Sequence, residues 1–177
     1  LLRFEDMRLF PVRNGRSFSS WCRKFVISWE EVKNWEPAGN LHDIVWVDGS
    51  MYGSNLGTIF RHAPIFGFGL CILTGGKYSS DDLKTALRLA QAARREDVGA
   101  RITLAPEFVN VLIFLQKRNI VTVGLETEDV LKKVLCEAYN VDHIFKHPIL
   151  NTPTPVALIF GGQSMGLDPE LLRKCHA

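Results

Sequence analysis

The sequence predicts an α/β protein: a mostly parallel sheet with helices on both faces. Three observations lead there. Short apolar runs, suited to strands buried on both sides, recur from residue 44 to residue 160. Segments with apolar residues three and four positions apart separate them. Glycine-rich turns join runs to helices at Gly53-Ser54-Asn55-Leu56-Gly57 and at Gly161-Gly162-Gln163-Ser164-Met165-Gly166-Leu167. Strands that alternate with helices return to the same sheet edge by crossovers, which makes neighbouring strands parallel.

The elements follow in order. Ile44-Val45-Trp46-Val47 reads as the first strand. A helix is expected over 56–66, with Asn55 as its N-cap and Gly67 at the position after its end that favours a left-handed backbone. Leu70-Cys71-Ile72-Leu73 is the second strand. Ser79-Ser80-Asp81-Asp82 opens a helix carrying Leu83, Ala86, Leu87, Ala90 and Ala93 on one side, and Arg94 and Arg95 suit the negative end of its dipole. Residues 101–104 form a strand, Pro106 and Glu107 open a helix through Lys117, and 120–123 form a strand. Thr127 caps a helix over 128–139. The last strand spans 156–160, and the last helix has Asp168 as N-cap and Pro169 at its first position. In such sheets ligands bind outside the carboxyl ends of the strands. Both glycine turns and Gly124-Leu125-Glu126-Thr127 lie at such ends.

Residues 1–42 break this pattern and read as an N-terminal extension, with 43–177 as the domain. Trp21 and Trp35 stand in a polar, basic stretch, and Trp46 follows just beyond it. These rings could stack on RNA bases or pack onto the domain; packing is the expected outcome. Arg3, Arg8, Arg13 and Arg16 with several serines suit an organellar transit segment, while Glu5 and Asp6 oppose one. Localisation stays open between an organellar matrix, such as the mitochondrial one, and the cytoplasm. The start at Leu1 and the stop at Ala177, just inside a helix, suggest part of a longer protein.

Composition narrows the function classes. The 177 residues are 46% hydrophobic and 23% charged, with a formal net charge of +2. No apolar run approaches the ~20 residues of a membrane-spanning helix, so no membrane partner is expected. The near-neutral charge neither demands nor excludes nucleic acid. Cys22, Cys71, Cys136 and Cys175 form no C-x-x-C pair and read as buried free thiols, which suits a reducing compartment. His143 and His147 have helical metal-ligand spacing but lack a third ligand and adjoin Pro148, so they read as a solvated or packed pair. Arg94, Arg95, Arg101, Lys117 and Arg118 are either an RNA-facing patch or helix-end charges on a solvated face, the second being slightly favoured.

Two motif readings fail on chemistry. Gly161-x4-Gly166 has P-loop spacing, but Leu167-Asp168 replaces the Lys-Ser/Thr that reaches phosphate and magnesium. No G-x-G-x-x-G follows a strand. The paired turns match something else. Asn55-Leu56-Gly57 with Arg61, Ala63 and Phe66-Gly67 resembles the first motif of the SpoU (TrmH-like) RNA ribose methyltransferases of the SPOUT superfamily. Phe160-Gly161-Gly162-Gln163-Ser164-Met165-Gly166-Leu167 resembles the second, and residues 117–125 also look like the family. The resemblance covers about residues 43–177.

It implies a trefoil-knotted fold, completed by a C-terminal part beyond this chain, and dimers with the site across the interface. It also implies methyl transfer from S-adenosylmethionine to a ribose 2′-hydroxyl of RNA, with ribosomal RNA or a ribosomal particle as the expected partner. Arg61 and Asn55 would serve the ribose. Gly124, Leu125, Gly161, Gly162, Gln163, Gly166 and Leu167 would hold the cofactor, largely through main-chain groups. A guanidinium keeps its proton at ordinary pH. Arg61 therefore suits electrostatic stabilisation of the developing alkoxide and of a neighbouring phosphate better than base catalysis. Its other reading is a surface helix arginine.

Two departures keep an alternative open. Gln163 stands where the family has glutamate, so hydrogen bonding is kept and charge is lost. The family's third motif, with its serine and asparagine, has no counterpart before Ala177. The alternative is a catalytically weakened relative that serves as an RNA-binding ribosome-assembly factor or as one subunit of a homo- or heterodimer. A third reading is another nucleotide-binding α/β domain.

Overall fold

The computed structural model describes residues 22, 24–37, 39, 41–76, 78–92, 100–126 and 153–176. In chain order these form α1 (Trp29–Val32), β1 (Asp43–Asp48), α2 (Gly53–His62), a 3-10 turn (Ala63–Phe66), β2 (Phe68–Thr74), α3 (Ser80–Ala92), β3 (Arg101–Leu104), α4 (Phe108–Lys117), β4 (Val121–Leu125), β5 (Val156–Gly161) and α5 (Pro169–Leu172). The five strands make one sheet in the order β3-β2-β1-β5-β4, and every pairing is parallel. The helix expected over 128–139, Arg94, Arg95, Cys136, His143 and His147 lie outside the described residues.

Side-chain alternation along the strands divides the core. Val45, Val47, Cys71 and Leu73 point to one face, where Leu56 and Phe60 of α2 and Leu83, Ala86, Leu87 and Ala90 of α3 cover them. Ile44, Trp46, Leu70 and Ile72 point to the other, against Val111, Phe114 and Leu115 of α4 and Leu171 and Leu172 of α5. Helices on both faces explain why the strands read as continuous apolar runs rather than alternating ones. Among the described residues no helix is long and apolar enough to cross a membrane.

The segment before β1 contributes to both cores. Cys22 and Val26 join the first; Val32 and Trp35 join the second. Val26 pairs with Ile102 at the edge of β3, so β3 is not left as an open edge there. Two arginines fasten this segment. Arg101 donates to the carbonyl of Lys24 and lies over the Phe25 ring. Arg118 donates to the carbonyl of Lys33 at 3.1 Å and sits 3.7 Å from Glu36. Trp35 and Trp46 are both buried, as packing rather than stacking requires.

Helix α2 starts earlier than the sequence suggests. Tyr52 is the N-cap and makes no side-chain cap bond, and Asn55 is the third helical residue. The first amide of the helix, Gly53 N, instead donates to Asp82 Oδ1 of α3 at 3.1 Å. A carboxylate from a neighbouring helix thus replaces the local cap. Asp82 is itself held by Ser79, whose hydroxyl donates to Oδ2 at 2.6 Å. These bonds stabilise the ionised carboxylate and hold its pKa below the usual value. Other expected termini hold: Gly67 has φ 89°, and Asp168 Oδ1 accepts from Glu170 N at 2.7 Å and Leu171 N at 3.3 Å.

Candidate active site

The strand order places the two glycine turns side by side. From β1 the chain runs through α2 to β2. From β5 it runs through α5, whose Leu172 packs beneath Gly124 of β4. Connections leaving neighbouring strands in opposite directions open a crevice at their carboxyl ends, and such switch points are where α/β sheets bind ligands. Here that switch point lies between β1 and β5, where Gly49 and Ser50 pack directly against Gly162.

The 161–167 turn is built by close backbone approach. A Cβ on Gly161 would fall under 3.0 Å from the backbone of Gly166 and Leu167. Gly166 has φ 68°, a left-handed conformation that side chains disfavour. The amides of Gly162 and Gly166 donate to each other's carbonyls at 3.1 and 2.9 Å. The turn is also tied to its surroundings. Gln163 N donates to Ser50 O at 2.9 Å. Gln163 Oε1 accepts from Asn55 Nδ2 at 3.0 Å. Glu126, just past β4, accepts from Leu167 N at 2.7 Å. Among the described residues, the main chain of Ser164 and Met165 makes no hydrogen bond, and Met165 is 88% exposed. The tip of the turn therefore offers free amides and carbonyls to a ligand.

A buried polar chain supports the β1 side. Trp46 Nε1 donates to Thr74 Oγ1 at 2.6 Å, and Thr74 Oγ1 donates to Asp48 Oδ1 at 2.5 Å. Tyr78 donates its hydroxyl to Gly49 O at 2.5 Å, which fixes the residue next to the 161–167 turn. Burial raises the pKa of Asp48; the Thr74 bond opposes that shift and the charge of Asp168 adds to it. Burial, with the nearby Asp48 charge, also raises that of Tyr78.

The expected site residues fall into three groups. Asn55, Gly161, Gly162, Gln163 and Gly166 meet at the crevice. At Gly124, Leu125 and Leu167 the structure shows packing and strand pairing. Gly124 lets Leu172 approach, Leu125 is in register with Phe160, and the Leu167 side chain is in the core. Arg61 stands apart. It is exposed near the end of α2, about 9 Å along the axis from Asn55, and makes no hydrogen bond or ion pair with the 161–167 turn among the described residues. Sequence reasoning missed Glu126 and Asp48. Each follows directly on or ends a strand at the carboxyl edge, the one signal that could have marked them. Among the described residues no group of three or more His, Cys, Asp or Glu could hold a metal.

This fold has counterparts among solved structures. An rRNA methyltransferase from Sinorhizobium meliloti matches 82% of this chain and 49% of its own length, at TM-score 0.61 and 23% identity. The chain has the fold of the SpoU methyltransferases. The SpoU methyltransferase AviRb from Streptomyces viridochromogenes, in complex with the cofactor AdoMet, matches 79% of this chain and 48% of its own, at TM-score 0.54 and 19% identity. The AdoMet-bound form of the S. meliloti enzyme matches 82% and 49%, at TM-score 0.51 and 21% identity. The chain spans about half the length of these structures. No family model matches the sequence, and a search of curated proteins finds no match.

Proposed function

We propose that this chain belongs to an RNA 2′-O-ribose methyltransferase of SpoU type that uses S-adenosylmethionine and acts on ribosomal RNA as a homo- or heterodimer. Residues 43–177 are the methyltransferase unit, and 1–42 are the extension whose described part completes its core. The observation that carries the reading is the junction of the two motif turns through Gln163: its amide on Ser50, its side chain on Asn55. Two turns that would be unrelated loops in another α/β protein are one site here.

The turn suits a nucleoside cofactor. Its tip has main-chain donors and acceptors that are unpaired among the described residues, and Glu126 and Ser50 fix both limbs. S-adenosylmethionine supplies, when bound, a methyl group activated by its sulfonium. This chain's residues do the rest. Ser164 and Met165 bind through their main chain. Asn55 and Gln163 set the height of the turn above α2. Arg61, exposed and without an ion pair among the described residues, is available to a phosphate or to the developing alkoxide of the ribose hydroxyl. It serves that alkoxide as a fixed positive charge, since guanidinium does not take up a proton at ordinary pH. Its distance from the turn within one chain suits a site completed by a second subunit.

Titration calorimetry with S-adenosylmethionine, followed by mass spectrometry of 2′-O-methylnucleosides in treated ribosomal RNA, tests this. Binding and a new methylated nucleoside are expected. Absence of binding at millimolar ligand sinks the reading. One observation favours a second reading, a weakened relative acting in ribosome assembly: Gln163 gives Asn55 a neutral acceptor where the family has a charged one. Robust methylation by the unmodified protein rules that out, whereas activity gained only with Gln163→Glu supports it.

A further inference from the structure

On the sheet face covered by α4, that helix and α1 enclose a cavity of about 310 Å³. Trp29 and Phe114 form its aromatic wall, with ring centroids 5.7 Å apart and planes at 67°, and Ile113 extends that wall. The rim is cationic: Lys33, Lys117 and Arg118 line it, no carboxylate does, and Asn110 adds an amide. The Arg118 guanidinium lies 5.0 Å from the centre of the Phe114 ring. Glu30 and Glu36 stand outside the cavity and hold Lys33 and Arg118 in place, at 2.6 and 3.7 Å. Lys117 is exposed and makes no ion pair among the described residues. The end of α4 leads into the amino end of β4, so the cavity opens on the sheet edge opposite the 161–167 turn.

Three requirements define the occupant. An aromatic wall takes a flat ring laid against it, because contacts with Trp and Phe favour a π-system. Lys117, the rim cation with no ion pair among the described residues, takes an anion. An amide beside the wall pairs with a polar ring edge. A nucleoside monophosphate satisfies all three. An acidic peptide satisfies only the second.

We propose that this cavity is a second nucleotide site that takes one residue of single-stranded RNA, its base against Trp29 and its phosphate at Lys117. That the nucleotide belongs to an RNA strand rests on the reading of this chain as an RNA methyltransferase; the nucleotide chemistry does not. Such a site grips RNA away from the reacting ribose. The partial RNA-facing patch anticipated at Lys117 and Arg118 thereby separates from Arg101, which is spent on the N-terminal segment.

The test uses the whole chain with fluorescein-labelled oligouridylate, free uridine 5′-monophosphate, and an acidic peptide as competitor. Lys117→Glu is a surface change and Trp29→Phe keeps an aromatic ring, so both variants should fold. Lys117→Glu is expected to weaken oligonucleotide binding about tenfold and to reduce the salt slope by about 0.7, the value of one single-strand phosphate contact. Uridine monophosphate is expected to quench tryptophan fluorescence in the parent and not in Trp29→Phe. S-adenosylmethionine affinity is expected to be equal in parent and variants. Unchanged RNA affinity in Lys117→Glu overturns the proposal, as does equal quenching in parent and Trp29→Phe. So does displacement of the oligonucleotide by the acidic peptide at equal charge. A parent that binds RNA through this cavity but binds no S-adenosylmethionine removes the methyltransferase reading and leaves the nucleotide site standing.

Discussion

Replacing Gly161 by alanine tests whether the 161–167 turn is the binding element. The new methyl would lie under 3.0 Å from the backbone of Gly166 and Leu167, whereas ordinary contact is 3.4–4 Å. Neither neighbour is the end of a flexible side chain, so the returning limb of the turn must move by about 1 Å or β5 must bend. That movement opens the paired Gly162 and Gly166 bonds of 3.1 and 2.9 Å and the 2.7 Å bond from Leu167 to Glu126. Three hydrogen bonds at about 1 kcal/mol each, one to a charged acceptor, place the cost at about 3–4 kcal/mol. If about 2 kcal/mol of it falls on the ligand-competent shape of the turn, S-adenosylmethionine affinity drops about thirtyfold. Titration calorimetry reads the affinity and urea unfolding reads the stability. A variant that binds within about threefold of the parent and unfolds within about 0.5 kcal/mol of it would refute the close-approach argument.

Three further outcomes are expected. Asp48 has a folded-state pKa raised by burial, so its stabilising contribution is complete below its unfolded value and is lost as pH rises through the folded one. Asp48→Asn should therefore gain stability relative to the parent as pH rises above 4; a pH-independent difference in urea midpoint contradicts this. Burial pushes the thiol of Cys22 up to about 12 and that of Cys175 up to about 11, so neither should react with a disulfide reagent at pH 8 until denaturant is added. Rapid native labelling of Cys22, mapped by mass spectrometry, would show that the N-terminal segment does not pack as described. Trp35→Ala should cost about 3–5 kcal/mol in urea unfolding, because the ring is 8% exposed within the second core. A loss below about 1 kcal/mol would make residues 24–37 an appendage rather than part of the fold.

What could be read from the sequence was set by short-range physics. The strands were legible because parallel strands covered on both faces need uninterrupted apolar runs, as in Ile44 to Val47. Gly67 and Asp168 were legible because left-handed and N-cap positions restrict residue type locally. Asn55 was misplaced because the true cap of α2 is Asp82, on another helix, and no local rule encodes a partner 29 residues away. Glu126 was missed for the same reason: its carboxylate acquires a task only when β4 and β5 lie side by side, bringing Leu167 N within 2.7 Å. Arg101 and Arg118 looked like surface charge. Their guanidinium groups instead end on carbonyls of a segment whose position the sequence does not announce.

The placement of β5 has a consequence for how the molecule is assembled. It is the last described strand in chain order, yet it lies between β1 and β4. Asp43 Oδ1 accepts from Val156 N at 2.8 Å across 113 residues. Until β5 arrives, β4 lacks a described partner in the sheet and β1 presents an open, apolar edge beside β2. A nascent chain therefore holds a three-stranded half-sheet with exposed pairing groups, the arrangement most prone to joining the wrong strand. Closure over that sequence separation must precede the β1–β5 pairing, and such non-local pairing carries a loop-closure cost that slows folding. The same event brings the 161–167 turn against Ser50 and Asn55, so the junction of the two glycine turns forms only with the whole sheet.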